Sequence, residues 1–242
     1  MPGRILVVNP NTSPEVTDAY LAAARLQAPN DVKLTGVTGR FGARIVSTPA
    51  ENLVAGHSAL DLVANHAAGY DAVILAISFD TGLDALRSVL PMPVIGITEA
   101  ALRAAATEDG RIGVVFFGEV SRSLYLDVLS RNRVEPVGVA AVGVDDATDY
   151  LSAGAMDQTV LDACNDLHAQ GADAIVICGA AIVGMAARLS PQLTVPVFDG
   201  LMALDACLDP DAGRAASRSL KPLGTGVGLS PSLTRLLYGN LS

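Results

Sequence analysis

The chain has 242 residues, enough for one large domain or two small ones, and half of them are hydrophobic. A formal net charge of −9 argues against nucleic acid as a partner, because phosphate binding needs a basic surface. Three scattered cysteines with no CxxC or Cys/His spacing argue against a disulfide framework and a metal site, and the lack of a signal peptide or bilayer-length apolar run makes a soluble cytoplasmic protein with no membrane partner the expectation.

In chain order, Arg4 to Val8 reads as a strand. The polar run Asn9-Pro10-Asn11-Thr12-Ser13-Pro14-Glu15 follows. Thr12 or Ser13 suits a helix cap, Pro14 the first turn and Glu15 the helix dipole, so a helix is predicted to about Gln27. Val32 to Thr38 is a second strand, and Pro49 to about Ala67 has helical spacing with Leu53, Leu60 and Val63 as its apolar stripe. Val73 to Ile77 is a third strand, followed by a loop, a short helix from Leu83 to Val89 and a strand from Val94 to Ile97. Thr98 opens a helix running through Ala106.

The same alternation then resumes. Strands are predicted at Ile112 to Phe117, Val137 to Val142, Ala174 to Cys178 and Val195 to Phe198. Helices are predicted within Gly118 to Asn132 and at Met156 to Ala169, Ile182 to Leu189 and Gly200 to Leu208. The tail from Asp209 to Ser242 is richer in Gly, Ser and Pro and is expected to wrap back onto the first half. Strands and helices at this spacing indicate parallel sheets.

The two halves also repeat each other. Gly69-Tyr70-Asp71-Ala72-Val73-Ile74-Leu75-Ala76-Ile77-Ser78 runs toward Pro93-Val94-Ile95, and Gly171-Ala172-Asp173-Ala174-Ile175-Val176-Ile177-Cys178-Gly179-Ala180 runs toward Pro196-Val197-Phe198. Two copies of one unit predict an α/β protein of two pseudo-symmetric lobes, each a mainly parallel sheet flanked by helices. The first lobe is assigned residues 1–97 plus 209–242 and the second residues 98–208. A small-molecule site is expected in the cleft between them, at the strand ends where open α/β sheets place their ligands.

Four segments should converge there. Asn9, Asn11, Thr12 and Ser13 offer amides and hydroxyls at a helix start, suited to a carboxylate or a carbonyl oxygen, or simply to a turn with a cap. Ser78-Phe79-Asp80-Thr81-Gly82 is a polar cluster after an apolar strand, in which Asp80 is either catalytic or the cap of the next helix. In Phe116-Phe117-Gly118-Glu119-Val120-Ser121-Arg122, the phenylalanines wall a pocket or fill the core, and Ser121 and Arg122 either contact an anionic substrate or, in the bland reading of Arg122, leave it simply solvated. In Cys178-Gly179-Ala180-Ala181, a thiol lowered by helix N-terminal amides could act as a base; the bland alternative is a small buried hydrophobe. Cys164 and Cys207 fall inside predicted helices and fit that bland reading, and His57, His66 and His168 form no triad-like spacing.

Together these segments resemble the aspartate/glutamate racemase superfamily, particularly its hydantoin and allantoin racemase branch. The matching stretches are Val8-Asn9-Pro10-Asn11-Thr12-Ser13, Gly82-Leu83-Asp84-Ala85, Pro93-Val94-Ile95-Gly96-Ile97-Thr98-Glu99-Ala100-Ala101 and Val195-Pro196-Val197-Phe198-Asp199-Gly200, spread over about residues 4 to 208. The resemblance implies a pseudo-symmetric two-lobed fold, no cofactor, and two cysteines, one per lobe, acting on opposite faces of an acidic carbon. Counting from Asp71 to Gly82-Leu83, the first of those cysteines falls on Ile77, and counting back from Val195-Pro196 the second falls on Gly179, with Ser78 and Cys178 as the nearest polar replacements. The family's hydroxyl-bearing residues of the second lobe fall on Phe116 and Phe117, which suggests a bulkier or more apolar substrate. The related arylmalonate decarboxylase branch, which works with a single cysteine, matches at Ser78 and at Cys178-Gly179.

The leading expectation is therefore a cofactor-independent racemase or epimerase. It would exchange a proton beside a carbonyl in a cyclic amide, hydantoin-like or cyclic dipeptide-like, or in an amino-acid-derived substrate. Asn9, Asn11 and Thr12 would hold the carbonyl oxygen, Cys178 would be the base on one face, and Asp80 or Ser78 would serve the other. Phe117, Gly118 and Gly179 would contact the substrate. A homo-oligomer is expected. The alternatives are a single-cysteine decarboxylase and a ligand-binding homologue that has lost catalysis, the latter supported by Ile77 and Gly179.

Overall fold

The computed structural model of the chain describes residues 3–106, 110–143, 154–209, 224 and 226–239. Strand β1 (Arg4–Asn9) leads through helix α1 (Pro14–Gln27) to β2 (Lys33–Thr38), then through α2 (Pro49–His66) to β3 (Ala72–Leu75), and through α3 (Leu83–Val89) to β4 (Val94–Gly96). These four strands form one parallel sheet in the order β2-β1-β3-β4. Helix α4 (Ile97–Ala105) leads to the second unit: β5 (Ile112–Phe117), α5 (Arg122–Arg131), β6 (Gly138–Val142), α6 (Asp157–Ala169), β7 (Ala174–Ile177), α7 (Met185–Leu189) and β8 (Val197–Phe198), after which α8 (Met202–Leu208) packs back on β3 and β4 of the first sheet. Its sheet is parallel too, in the equivalent order β6-β5-β7-β8. The chain is an α/β protein of two like lobes.

The sequence repeat is a structural repeat. Val8 pairs with Leu75 in the first sheet and Val115 with Ile177 in the second. The Gly-x-Asp motif clamps the start of each sheet: Asp71 accepts from the Arg4 amide at 2.8 Å, and Asp173 accepts from the Arg111 amide at 3.1 Å. Strands β1, β3, β5 and β7 occupy central positions, and their apolar runs are buried on both faces, as parallel strands covered by helices must be. One core cluster takes in Leu6, Val8 and Leu75 from the first lobe with Val114, Phe116 and Val176 from the second. The lobes are also tied by hydrogen bonds from Tyr20 Oη to the Gly200 carbonyl (3.0 Å) and from Arg131 Nη2 to the Phe79 carbonyl (2.7 Å). No helix among the described residues is long and apolar enough to cross a membrane.

Three local expectations are corrected. Leu53 is 80% exposed; the buried face of α2 is built from Ala55, Ala59, Leu62 and Val63, the 3.6-residue spacing set by small residues. The helix expected from Ile182 to Leu189 is split into a 3-10 turn at Ala180–Ile182 and α7, which starts after Gly184 in the left-handed conformation. Strands β3 and β7 end at Leu75 and Ile177, so Ile77 and Cys178 stand just beyond them. The return of the tail falls largely outside the described residues; its described helix α9 (Pro231–Tyr238) lies against α2.

Candidate active site

A small cavity of about 50 Å³, partly open to solvent, lies between the lobes at the C-terminal ends of the central strands. The first lobe contributes Asn11 and Val16 after β1, Ile45 and Val46 from the loop after β2, and Ile77, Ser78 and Phe79 after β3. The second contributes Phe117, Ser121 and Tyr125 from the end of β5 through α5, and Gly179, Ala180 and Ala181 after β7.

The loop after β1 is rigid because Asn9 holds it from inside. Asn9 is fully buried, and its Nδ2 faces Asn11 Oδ1 (2.8 Å), the Ser13 carbonyl (3.1 Å) and Thr17 Oγ1 (3.0 Å). Its Oδ1 accepts from the Asn11 amide. Asn9 is therefore a scaffold for the loop and does not line the cleft. Asn11 does line it. Its Oδ1 is taken up by Asn9 Nδ2 and the Ser13 amide, leaving its Nδ2 hydrogens for a ligand. Thr12 lies outside the lining, with its amide bound to the Ala43 carbonyl. Ser13 is the N-cap of α1 by position, but its hydroxyl bonds Glu15 and makes no capping bond.

Ser78 reaches the cleft, where its Oγ accepts from the Ala180 amide of the other lobe at 3.2 Å. Asp80 does not. It is 1% exposed and its carboxylate accepts from the Thr98 amide (3.2 Å) and the Glu99 amide (2.7 Å), so it caps α4 rather than the helix next to it. Helix α3 is instead preceded by Gly82 in the left-handed conformation. Burial raises the Asp80 carboxyl to about 7 against the pull of those two amides.

Cys178 is also displaced from its expected place. It is 3% exposed, belongs to the core cluster and does not line the cleft. Burial, and then the nearby Asp80 charge, push its thiol up to about 12 against a hydrogen bond with Thr98. The expected lowering fails because the regular helix begins only at Met185, and the direction is set by strand parity. The Ala76 amide donates to Val8 and the Cys178 amide to Val115, so Cys178 is the counterpart of Ala76. The counterpart of Ile77 is Gly179, and both of these line the cleft. A Cβ on Gly179 would lie 2.6 Å from Ile182 Cγ1, so Ile182 fills the space a side chain at 179 would need.

Phe117 lines the cleft; Phe116 lies in the core against Tyr125, with ring centroids 4.7 Å apart. Gly118 lies outside the lining and ties its amide to the Val142 carbonyl. Arg122 is paired with Glu119 and stacks over Phe116, so it brings no charge to the cavity. Among the described residues none that lines the cleft is charged. Sequence reasoning missed Tyr125, which enters from α5 one turn after Ser121, and the Ile45-Val46 pair. The pair carried a signal: two adjacent apolar residues inside a loop of Gly, Arg and Ser.

A model of the Asp/Glu/hydantoin racemase family matches residues 5–205. The chain is 26% identical over 208 residues to the hydantoin racemase of Paenarthrobacter aurescens, covering 83% of this chain and 87% of that one. It is 28% identical over 205 residues to the hydantoin racemase of Pseudomonas sp. strain NS671, covering 83% and 82%. Among solved structures it superposes on the allantoin racemase from Klebsiella pneumoniae with a TM-score of 0.85 at 25% identity, over 96% of this chain and 98% of that one. With two like parallel sheets, a cleft at their strand ends and a family match that runs through both lobes, the chain belongs to the Asp/Glu/hydantoin racemase family.

Proposed function

We propose that the cleft takes a small uncharged cyclic amide, hydantoin-like or cyclic dipeptide-like, or a neutral amino-acid derivative, with an apolar substituent beside its carbonyl. On it the chain acts as a cofactor-independent racemase or epimerase. The observation that carries this reading is the lining: the amide of Asn11 and the hydroxyls of Ser78 and Ser121 set into a wall of aliphatic and aromatic side chains, without a charged residue among the described ones. A ligand carboxylate would lose its hydration there and gain no cation. A ring carbonyl can accept from Asn11 Nδ2, and the same donor stabilises the oxygen as charge develops on it.

The cleft keeps the half of the chemistry that polarises the carbonyl and replaces the half that moves the proton. Ile77 and Gly179 carry no group that can hold a proton, and the Cys178 thiol, raised to about 12, stays protonated behind the wall. The proton then passes to and from solvent. One preorganised donor is worth about 10²–10³ in rate, so exchange is slow and rises with hydroxide concentration. A decarboxylase of the single-cysteine kind is not favoured, since it needs a thiol in the cleft and a place for a carboxylate.

The test is proton NMR in deuterium oxide with 5-benzylhydantoin and a cyclic dipeptide, against phenylalanine and phenylmalonate. Protein-dependent deuteration of the ring compounds with loss of optical activity, unchanged in Cys178→Ala, supports the reading. Loss of exchange in Cys178→Ala would return the thiol as the base, and a decarboxylated product would favour the lyase. A second reading, recognition without turnover, is favoured by Ile77 and Gly179; a ligand-induced rise in Tm with no deuterium uptake would select it. Absence of both stabilisation and exchange with every ring compound would overturn the assignment of the cleft.

A further inference from the structure

Asp80 is an ionisable side chain at the joint of the two lobes that the proposed chemistry does not use. Three features show that the fold makes room for its carboxylate. Its φ is +48°, and the only other described non-glycine residue with positive φ is Arg133. A Cβ on Gly96 would lie 2.5 Å from the Asp80 Cγ and Oδ1, so the absence of a side chain at 96 leaves the space the carboxylate fills. Both oxygens accept amides from the first turn of α4, Oδ1 from Thr98 and Oδ2 from Glu99. The equivalent position of the second lobe lacks a carboxylate: Gly82 and Gly184 precede α3 and α7 in the same left-handed conformation, and two residues before Gly184 stands Ile182, the buried capping carboxylate of that lobe being Asp199, after β8, on the Gly184 and Ala186 amides.

The carboxylate is linked to the cleft through Thr98. The Thr98 amide donates to Asp80, and its hydroxyl donates to the Ser78 carbonyl at 2.6 Å. Ser78 Oγ in turn accepts from the Ala180 amide across the lobe boundary, and both Ser78 and Ala180 line the cavity. Two hydrogen-bonded steps therefore separate a buried carboxyl from a contact between the lobes at the cleft floor.

We propose that Asp80 is a positioning residue of the cleft: as a carboxylate it fixes Thr98, and through it Ser78 against Ala180, and protonation releases that contact. The physical step is simple. A carboxylate accepts two amides as a charged acceptor, but protonation makes one oxygen a donor and a poor neutral acceptor, which weakens its amide bond. The charged groups facing Asp80 are Glu99 of α4, itself paired with Arg87 of α3; Arg131 of α5, which bonds the Phe79 carbonyl; and the Cys178 thiol after β7. Burial dominates among these influences and sets the carboxyl at about 7.

The test needs no ligand, so its failure is separate from failure of the functional reading. Amide resonances of the ¹⁵N-labelled full chain are followed between about pH 5.5 and 8.5, a window that brackets the carboxyl's value of about 7. Thr98, Glu99 and Ala180 are expected to move with one common midpoint, although the Ala180 amide bonds Ser78 and not Asp80. Asp80→Asn should abolish all three titrations. Thr98→Val removes the hydroxyl and keeps the amide, so Thr98→Val should leave the titration of residues 98 and 99 while Ala180 falls silent. An Ala180 resonance that does not move in the parent, or that still moves in Thr98→Val, overturns the proposal. If Asp80→Asn fails to fold, the Thr98→Val comparison decides alone.

Discussion

Replacing Gly96 by Ala tests how closely the structure is built around the Asp80 carboxylate. Gly96 has φ −81° and ψ 139°, which any residue adopts, so the substitution carries no backbone strain. The new methyl would sit 2.5 Å from Asp80 Cγ and Oδ1 and 2.9 Å from Oδ2. The carboxylate must then retreat by about 1 Å, a distance at which neither amide bond keeps good geometry. Hydrogen bonds to a charged acceptor are worth about 1.5–3 kcal/mol each, and Gly to Ala returns about 0.4–1 kcal/mol through the unfolded chain, so the expected loss is about 2–5 kcal/mol. The assay is urea denaturation of the parent, Gly96→Ala, Asp80→Ala and the double variant. Asp80→Ala alone should cost about 2–4 kcal/mol, about 1–2 as a lost cap and about 1–2 as the strain of alanine at φ +48°. In its background Gly96→Ala should be neutral or slightly stabilising, because the atoms it meets are gone, giving a coupling of about 2–4 kcal/mol. A Gly96→Ala protein within about 0.5 kcal/mol of its parent in both backgrounds would refute the reasoning.

Gly179→Ala should cost about 1–3 kcal/mol by forcing Ile182 aside, plus the strain of a side chain at φ +158°, so Ile182→Ala should relieve the packing part and leave the backbone part, as read from Tm. All three cysteines are buried and their thiols are raised to about 12, so native protein at pH 8 should resist DTNB and react fully only in denaturant. Asn9→Ala should lose about 1–3 kcal/mol by stranding its buried partners in the loop, measured by urea denaturation. The Asp80 carboxyl is raised on folding, so its contribution to stability is fully present below its unfolded value of 3.8, falls as pH rises toward about 7, and is flat above. Subtracting the stability–pH curve of Asp80→Asn from that of the parent should show that downward slope; a difference that rises across the window would contradict it.

Much of the scaffold was legible because its signals are local. Apolar runs of strand length alternate with helical spacing, and the Gly-x-Asp repeat places Asp71 and Asp173 at the same clamp in each sheet. The polar loop after β1 was legible as a site element, and Asn11 and Ser78 do line the cleft. The roles inside that loop were not, because Asn9 and Asn11 look alike in sequence and differ only in which one the loop folds around. The repeat aligns Cys178 with Ala76 and Gly179 with Ile77, and counting from the family resemblance reached the same two positions, Ile77 and Gly179, at the cleft wall.

The sequence by itself determined the two lobes, the succession of strands and helices along the chain and the end of the sheets at which the cleft lies, since periodicity and strand-to-helix alternation act over a few residues. Only the tertiary structure decided which side chains face the cavity. One residue of parity at the end of β7 sends the Cys178 thiol into the core and leaves Gly179 at the wall. Asp80 caps a helix that begins beyond β4, and Tyr125 and Val46 reach the cavity from elements distant in the chain. Those outcomes depend on how strands, helices and lobes pack together, and burial then fixes the protonation of the groups enclosed, which composition and spacing do not encode.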